Sequence, residues 1–216
     1  MIVRGDLLRD QVKEEIVKRI LDGRLEALSR INESVLSVDL GVSRTPLREA
    51  LLSLEQDGFV QAQPGRGFRV AALSAREVRD IYPIVGVLEA LALRTSDPLP
   101  ATAALRELND EIARSQDDPD RCEALDTELH RLLFEGCGNA RLVDTIGGVK
   151  RIMKRYEIAY MRTPRTMAST IAEHEAIIAA LERGDREAAS AAIEDNWRNG
   201  MERLLEILRD AGHDSA

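Results

Sequence analysis

Apolar and polar residues alternate with a helical period in the first part of the chain. Four apolar residues at intervals of four predict an amphipathic helix: Leu8, Val12, Ile16 and Ile20. Gly23 is placed to end this helix. The apolar cluster at 35–40 predicts a second, shorter helix that ends in a tight turn at Gly41. Two helices are therefore expected before residue 42.

A third helix is predicted to begin within the segment 43–51, SRTPLREAL. Hydroxyl side chains that can cap a helix precede a proline that suits a first turn. Three leucines at helical spacing predict its buried face: Leu47, Leu51 and Leu54. Arg44 and Arg48 are four residues apart and fall together at the start of this helix.

A β-hairpin is expected after Gly58, where the segment 59–70 alternates around a Pro-Gly-Arg-Gly turn. Three helices and a hairpin make a winged helix-turn-helix, in which a helix enters the major groove and arginine can bind guanine with two hydrogen bonds. The same residues also fit a surface helix on which Arg44 and Arg48 are merely solvated. The pattern alone leaves both interpretations open.

The chain from Ala75 onward is a series of helical stripes separated by short Pro, Gly and Asp segments. Six helices are predicted at 75–96, 101–117, 120–136, 140–162, 166–183 and 185–210. Such an array buries its apolar faces as an antiparallel bundle, whose interior can hold a ligand or a metal. The predicted fold is mostly α, with a winged helix-turn-helix at 1–73 and a helical bundle at 76–212.

Composition and charge support two dissimilar domains. Aromatic residues make up 3% of the chain, which favours helices packed through aliphatic side chains. Residues 1–73 carry 11 basic and 11 acidic residues, so the net charge of −8 lies in the remainder. Cys122 and Cys137 are predicted to be small buried side chains. No signal-like segment or membrane-length apolar run is found, so the protein is predicted to be cytoplasmic and without a membrane partner.

Candidate metal ligands are sparse in the bundle. His130 follows Asp126 by four residues, which puts both on one helix face, and His174 begins the stripe of another helix. One carboxylate and two imidazoles suit zinc, nickel or a similar divalent ion, with positions left open for a ligand. A surface ion pair or a hydrogen-bonded polar cluster would give the same spacing.

The segment 8–70 resembles the DNA-binding domain of the GntR family, above all in the run VSRTPLREAL at 42–51, which is followed by Leu54, Gly58 and the glycine-bearing wing. The resemblance implies that operator DNA is contacted by the start of the third helix and by the wing: Ser43, Arg44, Thr45, Arg48, Gly65, Arg66 and Gly67. The loop at 24–31 departs from the family because it lacks the common Pro-Gly pair.

The segment 76–210 resembles the ligand-binding FCD domain of the FadR-like branch of that family, through Leu88-Glu89, the run DTELH at 126–130, Gly138-Asn139 and Glu173-His174. The metal ligands of metal-binding members correspond to Asp126, His130 and His174. Their fourth ligand, a histidine, falls on Asn196 here. An amide oxygen holds such ions less well than imidazole, so weaker metal binding is expected.

Many relatives carry an arginine one turn before the Leu-Glu pair, where this chain has Val85. Another donor would then have to hold the carboxylate of an organic acid effector, and the fourth bundle helix offers candidates: Arg151, Arg155 and Tyr156. The expected function is that of a homodimeric transcription regulator controlled by a small molecule, and repression is the favoured prediction. A metal-dependent hydrolase with a DNA-docking module and an effector-free DNA-binding protein are the alternatives.

Overall fold

The structure is a computed structural model that describes residues 3–21, 23–72, 74–161 and 164–210. Within these ranges, the side chains of residues 3–7, 21, 155, 157–161 and 164–166 are left undescribed. The chain divides into two compact units, 1–73 and 74–216. None of the described helices combines the length and apolar character needed to cross a membrane.

Helices dominate both units, and all the strands among the described residues lie in the first. In chain order the described elements are α1 (Val3–Leu21), β1 (Arg30–Ile31), α2 (Glu33–Asp39), α3 (Arg44–Gln56), β2 (Val60–Gln63), β3 (Gly67–Val70), α4 (Ala75–Thr95), α5 (Thr102–Arg114), α6 (Pro119–Leu133), α7 (Ala140–Met161), α8 (Pro164–Glu182) and α9 (Arg186–Asp210). This architecture confirms the predicted fold class.

The sheet of the first unit has one strand more than the sequence predicted. Strands β2 and β3 form the expected hairpin. Strand β1 pairs with the other edge of β3, which gives the order β1-β3-β2. Ile31 pairs with Phe68, and Arg30 pairs with Arg69. A strand of two residues is too short to show an alternating pattern, so this element could not be detected from periodicity.

The core of the first unit forms where α1 packs on α3. Val12 and Ile16 are buried, and the predicted leucine face of α3 is fully buried. Leu8 was expected to continue the stripe of α1, but it is 40% exposed, and burial of the stripe begins one turn later at Val12. In the cluster at 35–40, Leu36 is buried whereas Val35 and Val38 are exposed.

The helix caps also correct the sequence analysis. Ser43 is the N-cap of α3, but its side chain makes no capping hydrogen bond. An N-cap hydroxyl bonds the amide two or three residues later, and here the third position is Pro46, which has no N–H. Helix α2 is capped instead by Asn32, whose side-chain oxygen accepts from the amides of Ser34 and Val35.

The second unit is a bundle in which α4 packs on α9 and α7, while α8 packs on α9 and α5. Its helix bounds agree with the predicted ones to within a few residues. Cys122 is buried as predicted, but Cys137 is only partly buried. Most of the interior is aliphatic, yet it also encloses polar side chains of α4, α5, α6, α8 and α9: Glu89, Asn109, Asp126, His130, His174 and Asn196.

Candidate DNA interface and candidate metal centre

A groove in the first unit runs between the start of α3, the start of α2 and the turn of the wing. It is lined by Arg30, Ile31, Asn32, Glu33, Ser34, Arg44, Thr45, Arg48, Gly65, Arg66 and Gly67. Four arginines and one glutamate stand in this lining. The groove is therefore cationic although the unit as a whole is neutral.

Six of the seven predicted DNA-contacting residues line this groove, namely Arg44, Thr45, Arg48 and the wing residues 65–67. Ser43 is exposed beside it but does not line it. Gly65 and Gly67 adopt φ values of +70° and +78°, which other residues adopt only with strain. The two glycines therefore shape the turn that carries Arg66.

The groove also contains residues that the sequence analysis did not single out. Strand β1 pairs with the wing and so carries Arg30 to the groove, and the start of α2 brings Glu33 and Ser34. Arg44 donates through Nη2 to Oγ of Ser34 at 3.2 Å. Nε of Arg48 lies 3.3 Å from Oε2 of Glu33. Only the pairing of β1 reveals this neighbourhood, and that pairing left no signal in the sequence.

The three predicted metal ligands meet in the interior of the second unit. Asp126 and His130 lie one turn apart on α6, and His174 lies on α8. One potential ligand atom from each side chain lies within 4.8 Å of the other two. All three residues are buried. The four-residue spacing of Asp126 and His130 thus corresponds to a cluster in the structure. Because the cluster is buried, it is not a surface ion pair.

His130 is oriented by the carboxylate of Glu89, which was not among the predicted site residues. Oε2 of Glu89 lies 2.6 Å from Nδ1 of His130 and accepts from Nε1 of Trp197 at 2.7 Å. Lys150 approaches the other oxygen at 3.3 Å. With Nδ1 held by Glu89, Nε2 of His130 is the nitrogen left for a ligand. A glutamate on the buried stripe of α4, one turn after Val85, was the signal that could have revealed it.

Glu89 is ionised although it is completely buried. Burial by itself raises the pKa of this carboxyl, but Lys150, His130 and Trp197 outweigh it and lower the pKa of Glu89 to about 2. Burial lowers the pKa of His130, but the neighbouring Glu89 outweighs burial, so the pKa of His130 is raised overall. The Nδ1–H group of His130 therefore donates a hydrogen bond to an ionised carboxylate.

His174 is oriented by Asn109 of α5. The amide nitrogen of Asn109 donates to the carbonyl of Ile171 at 3.1 Å, so its oxygen faces Nδ1 of His174, also at 3.1 Å. Nδ1 must then carry the proton, and Nε2 presents a lone pair. Burial lowers the pKa of His174 to about 4, in spite of Asp126 nearby. His174 is thus neutral at neutral pH.

The lone pair of His174 faces another acceptor. Nε2 lies 3.4 Å from Oδ1 of Asp126. The distance is short enough for an ion pair, but a neutral imidazole cannot form one, and this buried nitrogen has no hydrogen-bond partner among the described residues. Two buried acceptors in contact are unfavourable unless a proton or a cation lies between them. Together with Nε2 of His130, the donor set fits a divalent metal ion.

Asn196, the expected fourth ligand, is buried on α9. The amide nitrogen of Asn196 donates to Oε2 of Glu173 at 3.0 Å. The amide oxygen therefore remains as a potential metal ligand. Glu173 also binds Arg203 through both oxygens, at 2.6 and 2.8 Å, and Asn199 at 3.1 Å. Asn196 is thus anchored to a network that joins α8 to α9.

Of the three effector contacts suggested on α7, the structure describes the side chains of two, Arg151 and Tyr156. Arg151 is exposed, and the side chain of Arg155 is not described. Tyr156 is fully buried, and its hydroxyl accepts from the amide of Ser74 at 3.2 Å and donates to Glu77 at the start of α4. Lys150 points inward instead, towards Glu89 and over the ring of Trp197 at 5.1 Å. This lysine was not among the predicted effector contacts.

A winged helix with a cationic groove and a separate helical unit with a buried polar cluster define a regulatory DNA-binding protein. Comparison with known families agrees. Residues 8–70 match the bacterial regulatory proteins of the gntR family, and residues 80–199 match the FCD domain. The chain belongs to the GntR family of transcription regulators with a C-terminal FCD domain.

Individual relatives are similar over nearly the whole chain. The HTH-type transcriptional regulator YdhC of Bacillus subtilis (strain 168) is 27% identical, and the match covers 93% of this chain and 92% of YdhC. The HTH-type transcriptional repressor RspR of Escherichia coli (strain K12) is 25% identical, with 83% and 81% covered. A solved GntR transcriptional regulator from Rhodococcus sp. RHA1 has the same fold, with a TM-score of 0.72 at 21% identity, covering 92% of this chain and 97% of that one.

Proposed function

We propose that this regulator is a homodimeric repressor that binds a divalent metal ion and, through it, an organic acid effector in the helical unit. The observation that carries the proposal is the contact between Nε2 of neutral His174 and Oδ1 of Asp126. A cation placed between the two acceptors removes the conflict. That RspR is named a repressor supports the sign of regulation.

Operator binding is assigned to the groove of the first unit. Arg44 and Arg48 at the start of α3 have the side chains that bind guanine in the major groove, and Thr45 between them can donate to a phosphate. The wing carries Arg66, with Gly65 and Gly67 allowing its backbone to approach a sugar-phosphate strand. Because the unit has no net positive charge, affinity should depend on these local cations and fall steeply with salt.

The metal is assigned to Asp126 and to the Nε2 atoms of His130 and His174. Imidazole and carboxylate ligands suit zinc or nickel. Glu89 and Asn109 already hold both rings with Nδ1 protonated, so neither ring has to change its tautomer when the metal binds. Asn196 would add an amide oxygen. Any position left open by these ligands can take a carboxylate of the effector.

The dimer is assigned to the outer face of α4. Ile84, Val87 and Leu91 are 51%, 55% and 42% exposed and lie at intervals of three and four residues, so they form one apolar stripe. A second copy of the chain suits this stripe because a two-fold symmetric regulator reads two half-sites of a palindromic operator. Replacing Val87 with Glu should give a monomer in analytical ultracentrifugation, and a dimer of unchanged strength would exclude this face.

The test of the metal site is elemental analysis of protein purified without a histidine tag or a chelator. Wild-type protein should carry close to one divalent ion per chain, and the double variant His130→Ala, His174→Ala should carry none. The variant His213→Ala, which removes the remaining histidine, is the matched control and should keep the metal. Metal-free wild-type protein that also fails to bind added zinc or nickel would refute the metal site and leave the cluster as direct hydrogen-bonding contacts for another ligand.

A further inference from the structure

Glu33 is an acidic residue inside a groove assigned to DNA, where it repels phosphates. We propose that Glu33 is a positioning residue that holds the guanidinium of Arg48 for base recognition and thereby increases operator specificity at the expense of overall DNA affinity. The inference rests on the proposed base-reading role of Arg48 and names the residue that prepares Arg48 for that role.

The backbone around Glu33 is fixed on both sides. Before it, Ile31 is buried and pairs with Phe68 of β3. Asn32 then caps α2 through two hydrogen bonds to the amides of Ser34 and Val35. Glu33 is the first residue of that helix, and its side chain is only 22% exposed. The backbone that carries the Glu33 side chain is therefore fixed in position.

One oxygen of Glu33 faces the reading helix. Oε2 lies 3.3 Å from Nε of Arg48, whose side chain is 64% exposed. Within the described residues, this is the one ion pair or hydrogen bond of the Arg48 side chain. An ion pair at Nε leaves the two terminal nitrogens of the guanidinium available, the pair that can bind O6 and N7 of guanine.

The other oxygen of Glu33 faces the wing. A Cβ atom on Gly67 would lie 3.0 Å from Oε1 of Glu33, and Gly67 has a φ of +78°. The carboxylate thus lies between the reading helix and the wing turn. Any side chain at residue 67 would press on the carboxylate that holds Arg48, so the wing glycine and Glu33 act on the same arginine.

A held arginine and a free one serve different kinds of binding. Non-specific binding needs only a cation near phosphates, so the charge of Glu33 weakens it. Base recognition needs two hydrogen bonds in a fixed geometry, and an arginine that is already oriented loses less conformational freedom on binding. Removing the carboxylate should therefore tighten non-specific binding while lowering discrimination.

The experiment compares two DNA duplexes of equal length, one selected from a random pool by the wild-type full-length protein and one with its bases scrambled. The measured quantity is the specificity ratio, which is the dissociation constant for the scrambled duplex divided by that for the selected duplex. We expect Glu33→Gln to bind the scrambled duplex more tightly and to lower the ratio about tenfold. Glu33→Asp keeps the charge but is one methylene shorter, so it should lower the ratio without tightening the scrambled complex. Thermal unfolding of each variant checks that the unit remains folded.

Arg48→Gln and the double variant separate the possible outcomes. If Glu33 acts through Arg48, Glu33→Gln should leave the ratio unchanged in the Arg48→Gln background. Equal tightening on both duplexes would show that Glu33 is only a repulsive charge and would overturn the inference. A ratio that still falls in the Arg48→Gln background would also overturn it. If Arg48→Gln alone leaves the ratio unchanged, the base-reading role of Arg48 in the proposed function fails instead.

Discussion

The two units of this regulator handle polar side chains in opposite ways. In the groove of the first unit, Arg44, Arg48 and Arg66 are exposed and make few contacts with the protein. In the bundle, Glu89 and His174 are fully buried, and each contacts partners from other helices. Exposed cations cost the fold little, whereas each buried polar group costs stability unless its hydrogen bonds are satisfied.

This difference predicts how each unit responds to mutation and to solution conditions. Substitutions in the groove should change DNA affinity and its salt dependence while stability stays nearly constant. Substitutions in the bundle cluster should change stability and its pH dependence. A groove variant that unfolds the protein, or a cluster variant with no effect on unfolding, would break the comparison.

The largest effect is expected for Glu89→Ala. The substitution leaves His130, Trp197 and Lys150 without their shared acceptor in the interior. Breaking a buried charged network from one side costs about 3–5 kcal/mol, so the free energy of unfolding in urea should fall by that amount. Glu187→Ala on α9 is the control, because Glu187 is 80% exposed and its contact with Arg94 is long at 3.7 Å. A loss below about 1 kcal/mol for Glu89→Ala would contradict the buried network.

A smaller effect is expected from acid. The pKa of His174 is lowered in the folded protein to about 4 from its ordinary 6.5, so its contribution to stability is full above pH 6.5 and is lost as the pH falls towards 4. Between pH 7 and pH 5, metal-free protein should lose about 2 kcal/mol of unfolding free energy from this residue.

The comparison variant for the acid effect is His174→Asn, measured by urea unfolding at both pH values in the presence of a chelator. His130 works in the opposite direction, because its raised pKa makes its contribution full at low pH and lost as the pH rises through the folded value. Subtracting the pH dependence of the unfolding free energy of His174→Asn from that of the wild type removes the contribution of His130. Equal pH dependence of the two proteins would show that His174 is not held neutral.

The two units also differ in how much the sequence revealed. The reading helix could be predicted in detail because Arg44, Thr45 and Arg48 lie in one continuous run whose helical spacing sets their common position. The third strand of the sheet could not, because the two residues Arg30 and Ile31 show no periodicity and pair with residues almost forty positions away. Glu33 went unnoticed for that reason.

In the bundle, the ligand types could be predicted but their orientation could not. Asp126 and His130 share a helix face by spacing alone, and His174 was found as one of only three histidines. The residues that orient the rings, Glu89 and Asn109, come from two other helices, and only the packing of α4 and α5 brings them into contact. Periodicity assigns a residue to a face but does not identify its tertiary partners.

A modest effect is expected for Arg66→Ala in the wing. Arg66 is exposed, lines the groove and lies in the turn between β2 and β3. Loss of one phosphate or minor-groove contact should weaken DNA binding by about 1 kcal/mol and reduce the magnitude of the salt slope by about 1, with unfolding unchanged. Arg69→Ala is the matched control, since Arg69 is exposed on β3 but does not line the groove. Equal losses for the two variants would indicate that the wing contributes only diffuse charge.

The smallest effect is expected at Leu28, in the loop that lacks the family's Pro-Gly pair. Leu28 has a φ of +64°, a left-handed conformation that costs a leucine about 1 kcal/mol, and its side chain is 54% exposed. Asparagine tolerates this conformation, so Leu28→Asn should raise the free energy of unfolding by about 0.5–1 kcal/mol without changing DNA binding. Leu52→Asn is the control, because Leu52 is 52% exposed but lies in α3, where asparagine is a poorer helix former. Stabilisation at both positions would mean that the gain comes from removing exposed apolar surface, whereas stabilisation at Leu28 alone would assign it to relief of backbone strain in the segment that leads into β1.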